Sequence, residues 1–449
     1  MRVAGREALA AAAGATLVAA AVALPLLDRD VRPRRDLGPQ RLATHAQATP
    51  IFGEWEVHVG WGTGPAVALA VAAVLWGPAL AQRVSWRALT LGAWATGCVW
   101  AFALAMIDGW QRGFAGRLTT RDEYLFEVPR ITDIPATLRT FASRIVDYQP
   151  DSWTTHVSGH PPGALLTFVW LDRIGLHGGA WAGLWCLLVG SSAAAAVVVA
   201  VRALADEETA RRAAPFVAVA PTAIWVAVSA DGYFAGVAAW GIALLAVAVH
   251  RAVRFPALTA AAAGLLLGWG VFCNYGLGLM GLPAVAVLAS APGWRAARRA
   301  LVPAVLAAVA VAVAFAAAGF NWFDGYTLVQ RRYWQGIAND RPFQYWGWAN
   351  LAAVVCAIGL GGVAGVARAF DVAALRRRSG FHLVLVAMLA AIVCADLSML
   401  SKAEVERIWL PFTVWLVAAP ALVPRAPRLW LALNAAGTLL VNTVVLTHW

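Results

Sequence analysis

The sequence predicts an all-α polytopic membrane protein, with about thirteen transmembrane helices and interfacial helices in one large outer loop. Three observations carry this. The 449 residues are 61% hydrophobic and 13% charged, with a mean hydropathy of +0.67; soluble domains carry nearly twice that charged fraction. Thirteen apolar runs approach the ~20 residues that cross a ~30 Å hydrocarbon core. Basic residues gather in the short connections on one side of these runs, as the positive-inside rule requires.

In chain order the expected spans are 7–27, 63–82, 88–108, 179–202, 214–229, 232–250, 257–273, 276–291, 301–319, 349–369, 380–398, 407–423 and 428–446. Arg2 and Arg6 precede the first, which reads as a signal anchor rather than a cleaved leader. With the N-terminus in the cytoplasm, the inner turns hold Arg83 and Arg87; Arg202, Arg211 and Arg212; Arg251 and Arg254; Arg295, Arg298 and Arg299; Arg368 and Arg376–Arg378; Arg425 and Arg428. The outer segments are then 28–62, 109–178, the turns near Asp231 and Asn274, 320–348 and 399–406. All the long polar segments lie outside. Residues 161–176 are apolar but short, and read as a helix lying flat at the outer surface. Two domains are expected: residues 1–87, a pair of N-terminal helices with an outer loop, and a core of 88–449 that includes the outer loop 111–178.

The net charge of +11 is no nucleic-acid signature, because 34 of the 35 basic residues are arginines spread over short loops. Anionic lipid head groups are the expected counter-charge. Cys98, Cys186, Cys273, Cys356 and Cys394 all fall in apolar segments, with no disulfide or metal-ligand spacing. No P-loop, GxGxxG, HExxH or GxSxG unit sits in a credible context.

Candidate chemistry clusters on the outer side. The first group is Arg121-Asp122-Glu123-Tyr124, followed 37 residues after Glu123 by His160-Pro161-Pro162-Gly163. A carboxylate there can act as general base on a sugar hydroxyl. The proline pair stiffens the backbone, fixes His160 and starts a helix. Asp122 adjoins Arg121 and can pair with it, which favours Glu123 as base. The competing structural reading is a solvated loop. The second group is Ser401-Lys402-Ala403-Glu404-Val405-Glu406-Arg407, with the chain's one lysine. Charges at a membrane edge are costly and usually functional or paired; Arg407 suits bidentate phosphate binding. A local Glu–Arg pair capping a helix is the plainer account. The third is the loop 320–348, with Asp324, Arg331, Arg341 and Trp346 among aromatics that suit sugar stacking, or equally a membrane aromatic belt. Asp231, Asn274 and Tyr275 stand at outer turns, as helix caps or as groups facing a shared cavity.

This ordered set of motifs resembles the GT-C superfamily of integral-membrane glycosyltransferases. Asp122-Glu123-Tyr124 is similar to its acidic outer-loop element, and His160-Pro161-Pro162 to its K/H-P-P motif. Ser229 to Asp231 matches a later Ser-Asp turn, and Arg407 a late outer arginine. The likeness runs from about residue 88 to 423. Asn274 departs from the lysine that related enzymes often carry. The arginine- and alanine-rich chain looks like the actinobacterial cell-envelope branch. The texts GFNWFDGY and SKAEVERIWLPF are similar to the methylthioxylose transferases that act on mannoside caps of lipoarabinomannan.

The resemblance implies a decaprenyl-phosphate-linked sugar donor, a glycan or glycolipid acceptor, and a plasma-membrane enzyme working on the extracytoplasmic face. Glu123 or Asp122 would be the base. His160, Arg407 and Lys402 would hold the donor phosphate. Asp231, Asn274, Tyr275, Asp324, Arg331, Arg341, Trp346 and Glu404 would line the substrate pockets. No organic cofactor is implied, and room is left for a divalent cation. The rival class is a secondary transporter or a flippase of lipid-linked sugars. Such proteins usually show internal repeats and mid-membrane charges, and neither is evident in this sequence.

Overall fold

The computed structural model describes residues 5–27, 48–251 and 253–448; Arg2 and much of the expected outer segment 28–62 lie outside them. Thirteen of the helices position everything else. They are α1 (Gly5–Leu27), α2 (Thr63–Arg83), α3 (Trp86–Ala105), α4 (Pro162–Arg173), α5 (Gly179–Leu204), α6 (Glu207–Ala218) and α7 (Ala230–His250). Then come α8 (Pro256–Cys273), α9 (Trp294–Ala317), α10 (Trp322–Gln335), α11 (Phe343–Ala369), α12 (Gly380–Leu397) and α13 (Pro427–Val444). Among the described residues nine are long and apolar enough to cross a membrane: α1, α2, α3, α5, α7, α8, α9, α11 and α12.

Three expected spans are broken into separate pieces, and a fourth, 349–369, is kinked at Gly359. The run 214–229 is the end of α6, a break containing Pro221, and one turn at Ala223–Val226. The run 276–291 is a 3₁₀ stretch, Tyr275–Met280, followed by Gly281–Ala289. The run 407–423 is three short pieces, Val405–Ile408, Leu410–Leu416 and Ala419–Leu422, with Pro411 and Pro420 at the joints. Proline removes a backbone donor and clashes with the preceding turn. Broken backbone is tolerated at membrane depth only where protein surrounds it, and residues 410–421 are buried throughout. Composition could not separate these pieces from true spans, because they are equally apolar. With α13 they occupy the places of the four remaining expected spans.

Helices α5, α7, α8 and α9 pack in sequence as neighbours, and α1 lies along α11. The buried Asn434 of α13 accepts from Gly361 N at 2.7 Å, where α11 kinks. Gly359 turns that kink at φ 71°, and a Cβ there would stand 2.4 Å from the Asn434 oxygen.

The two ends of the bundle differ. At one, Arg211 donates to the carbonyls of Ala81 (2.7 Å) and Val84 (2.9 Å), Arg251 donates to Arg202 O (2.9 Å), and Glu7 pairs with Arg368. At the other lie the connection from α3 to α5, the Ser229–Asp231 turn and residues 399–407. A small ribbon also sits there, with β1 (Gly53–Trp55) antiparallel to β2 (Val445–Thr447). Helix α4, expected flat on the surface, is instead packed inside the protein: nine of its twelve residues are buried. It is apolar on nearly all faces, so it needs cover all round. Gly163 lets it close on α8, since a Cβ would stand 2.4 Å from Phe272 O.

Candidate active site at the polar end of the bundle

Asp122 and Glu123 are adjacent and diverge: Asp122 lies in the turn closed by Glu123 N on Thr120 O at 3.1 Å, and Glu123 is extended at φ −97°, ψ 167°. Asp122 accepts from the Thr155 hydroxyl at 2.9 Å on the exposed side. Its carbonyl accepts from His156 N at 3.0 Å. It makes no ion pair with Arg121 among the described residues. Glu123 turns inward. Its Oε1 lies 2.8 Å from His156 Nδ1, with side chains only 12% and 11% exposed. Burial alone would raise the Glu123 pKa. The His156 contact, Arg407 and Arg117 outweigh it and hold the carboxyl below its ordinary value. The pair is therefore an ionised carboxylate in a dry setting, backed by an imidazole.

His160 comes into the same space from the HPP step. The residue before a proline is driven to extended backbone, and His160 has φ −128°, ψ 153°. Its Nδ1 meets the Tyr124 hydroxyl at 2.9 Å and the His156 carbonyl at 2.8 Å. A carbonyl only accepts, so Nδ1 carries the proton. Burial holds the His160 pKa below the usual histidine value, so the ring is neutral and Nε2 keeps its lone pair.

Facing these groups is a chain of buried charges. Arg407 pairs with Asp231 and stands 3.5 Å from Glu404. Arg341 binds the other Glu404 oxygen at 3.0 Å and donates to Lys402 O at 2.6 Å. Ser229 fixes Asp231 by accepting from its N–H at 3.0 Å, while Asp231 Oδ1 is buried with no hydrogen-bond partner among the described residues. Thus Glu123, Asp231, Glu404, Arg341 and Arg407 form one electrostatic unit around His156 and His160.

The remaining sequence candidates lie elsewhere or are already engaged. Lys402 Nζ donates to Asn339 O at 3.2 Å and sits 5.2 Å from the Trp334 ring centroid. The Asn274 amide oxygen accepts from Gly276 N at 2.7 Å, a cap. Tyr275 packs against Trp322 and Tyr326, its hydroxyl buried without a hydrogen-bond partner among the described residues. Asp324 and Arg331 are exposed on α10. Trp346 is buried in a cluster with Ala21 of α1. An aromatic-rich loop reads alike whether it lines a pocket or seals helices, so the sequence could not sort these.

Four groups were given no role by the sequence reading. His156 stands four residues before His160, a pairing that was the available signal. Arg117 faces Glu123 and Arg407 from the same loop. Asp108 and His58 meet at 3.0 Å nearby. Glu406 is fully buried, with Oε1 accepting from Phe52 N at 2.8 Å and Oε2 without a hydrogen-bond partner among the described residues; burial pushes its pKa up to about 7. A resident divalent ion does not fit this arrangement. Among the described residues no three His, Cys, Asp or Glu converge on a metal position. Glu123 is matched to His156 instead, Asp231 to Arg407, and Glu404 to Arg341 and Arg407.

The class of protein is therefore set by architecture: an all-α polytopic membrane protein. The apo crystal structure of the Archaeoglobus fulgidus oligosaccharyltransferase is similar, with a TM-score of 0.52 and 14% identity over 76% of this chain and 51% of that one. The oligosaccharyltransferase AglB from Archaeoglobus fulgidus, in complex with an inhibitory peptide and a dolichol-phosphate, gives 0.50 and 13% over 75% and 50%. ArnT from Cupriavidus metallidurans in the apo state gives 0.48 and 17% over 77% and 61%. The chain spans about half the length of the archaeal structures it matches. No protein-family model matches the chain, and no curated protein matches it.

Proposed function

We propose that this protein is a polyprenyl-phosphate-sugar-dependent glycosyltransferase of the plasma membrane, acting on the extracytoplasmic face. The donor is a decaprenyl-phosphate-linked sugar and the acceptor a cell-envelope glycan; the loop texts quoted above point to methylthioxylose and mannoside caps of lipoarabinomannan. The core 88–449 carries the reaction and residues 1–87 are an addition to it. The single observation behind this reading is the buried Glu123–His156 pair, set beside the Asp231–Arg407–Glu404 unit at the polar end of a fold shared with an oligosaccharyltransferase. That archaeal protein is solved with a dolichol-phosphate, which supports a lipid-phosphate donor.

Glu123 takes the proton of the acceptor hydroxyl. The acceptor oxygen attacks the anomeric carbon, and the bond to the phosphate oxygen breaks with its electron pair leaving on phosphate. His156 holds the carboxylate in place and Arg407 stabilises charge nearby. The open oxygen of Asp231 is suited to a sugar hydroxyl, because an unpartnered buried acceptor gains most from a donor. Neutral His160 contributes Nε2 as an acceptor rather than a positive charge.

The test is transfer from radiolabelled decaprenyl-phosphate sugar to a mannoside by the purified chain. Glu123→Gln should abolish transfer and Asp122→Asn should keep most of it. Full activity in a folded Glu123→Gln protein would sink the assignment. Saturable solute uptake into proteoliposomes without transfer would favour a transporter.

A further inference from the structure

A piece of the N-terminal region is built into the polar end of the bundle. Residues 48–53 form a closed turn, with Ala48 N donating to Gly53 O at 3.0 Å and Ile51 N to Ala48 O at 3.0 Å. The whole turn is buried. Phe52 is its most heavily engaged residue. Its N–H donates to the fully buried Glu406 at 2.8 Å, and its carbonyl accepts from His448 N at 3.3 Å. Its ring packs on the His448 ring at 4.8 Å. The Arg341 guanidinium stands 5.3 Å from the Phe52 ring centroid, within reach of a cation–π contact.

Arg341 is where the charge chain of the candidate site begins. It donates to Lys402 O at 2.6 Å and binds Glu404 at 3.0 Å. Glu404 stands 3.5 Å from Arg407, which pairs with Asp231. The corner between them is strained: Ala403 and Glu404 both have left-handed backbone, at φ 68° and 64°. Such backbone at non-glycine residues persists only where the surroundings hold it. Ala403 N donates to Asn350 Oδ1 at 3.2 Å, and Lys402 N to the Tyr333 hydroxyl at 3.2 Å. Arg341 supports the same corner from a carbonyl and a carboxylate at once.

We propose that Phe52 is a positioning residue: its ring holds Arg341 on the Lys402–Glu404 corner, and through Glu404 fixes Arg407 on Asp231. Residues 48–53 thereby belong to the working site, although they lie outside the core 88–449. A core filler would need only an apolar side chain of similar volume, which leucine supplies. Holding a guanidinium needs an aromatic face. The inference rests on the glycosyltransferase reading for its activity readout alone.

The effect should reach Glu123. Burial raises the Glu123 pKa, while His156, Arg407 and Arg117 pull it below its ordinary value. A corner that lets go of Arg341 leaves Glu404 to Arg407, and draws that guanidinium away from Glu123. The Glu123 pKa then rises toward its ordinary value, so the acid limb of kcat/KM moves to higher pH.

Two measurements on the purified full-length chain test this. The first needs no substrate: amide hydrogen exchange over residues 399–408. Phe52→Leu should speed exchange there about tenfold and leave residues 207–212, at the other end, unchanged. The second is transfer from a decaprenyl-phosphate sugar to a mannoside. Phe52→Leu should lower kcat about tenfold, keep the mannoside KM within about twofold and move the acid limb upward. Phe52→Tyr, which keeps the aromatic face, should restore all of these. Arg341→Gln combined with Phe52→Leu should cost no more activity than Arg341→Gln alone, since the two act through one contact. The inference is overturned if Phe52→Leu exchanges and transfers as wild type, if kcat falls while the acid limb stays in place, or if the effects of the two changes add. Faster exchange in Phe52→Leu, with no transfer by the wild-type chain from any donor, would instead count against the glycosyltransferase reading alone.

Discussion

Arginine serves opposite purposes at the two ends of this bundle. At the basic end, Arg211, Arg202 and Arg251 close turns by donating to carbonyls and to Glu207, with room for water around them. At the polar end, Arg407 is 6% exposed and held between Asp231 and Glu404. The first arrangement needs only a positive charge near lipid head groups, and many positions can provide it. The second needs one guanidinium at one place, because every charge taken from water must be matched. A run of arginines therefore reports topology, and a single buried arginine among acids reports chemistry.

That contrast can be broken, and the largest expected effect is at Glu123. Glu123→Gln should lower transfer at least about a hundredfold, the usual contribution of a positioned base, measured as initial rates with melting unchanged within a few degrees. Next is Arg407→Ala, which leaves Asp231 and Glu404 short of a cation. We expect a loss of about 3–5 kcal/mol in stability together with activity. Arg211→Ala, at the other end, should cost about 1–2 kcal/mol through lost carbonyl contacts and leave transfer unaltered. Denaturant or thermal melts of the two variants side by side check the pair.

The buried acids give opposite pH slopes. The Glu123 pKa is depressed, so its stabilisation is in place above the ordinary 4.5 and fades as pH falls below it. The Glu406 pKa is raised to about 7, so its stabilisation is complete below 4.5 and declines as pH rises toward 7. Glu406→Gln should abolish that decline and stabilise the protein at pH 8 by on the order of 3 kcal/mol. Melting curves from pH 4 to 8 separate the two; a wild-type curve unchanged by Glu406→Gln would refute the second. The smallest effect is expected at Asp324 and Arg331, exposed on α10: alanine at either should change transfer less than about twofold.

Much of the fold was legible because hydrocarbon is a uniform solvent. Eight apolar runs became single helices and a ninth, 349–369, a helix kinked at Gly359, since a lone segment in lipid must satisfy its own backbone. Residues 214–229, 276–291 and 407–423 were misread as continuous because once protein surrounds a segment, that rule lapses. For the same reason α4 is inside the protein rather than on a surface. At the site, the HPP step told where His160 would be held, since proline restricts its predecessor through local sterics alone.

What the sequence by itself determined was the class of fold and the end of the bundle at which basic residues gather. These follow from hydropathy, charge and local backbone sterics, which act at each residue without its distant neighbours. Only the tertiary structure decided that Glu123 faces inward while Asp122 faces water, and that Arg407 meets Asp231 across 176 residues of chain. Matching of buried charge is a property of the assembled interior, where partners far apart in sequence arrive together and each must be counted.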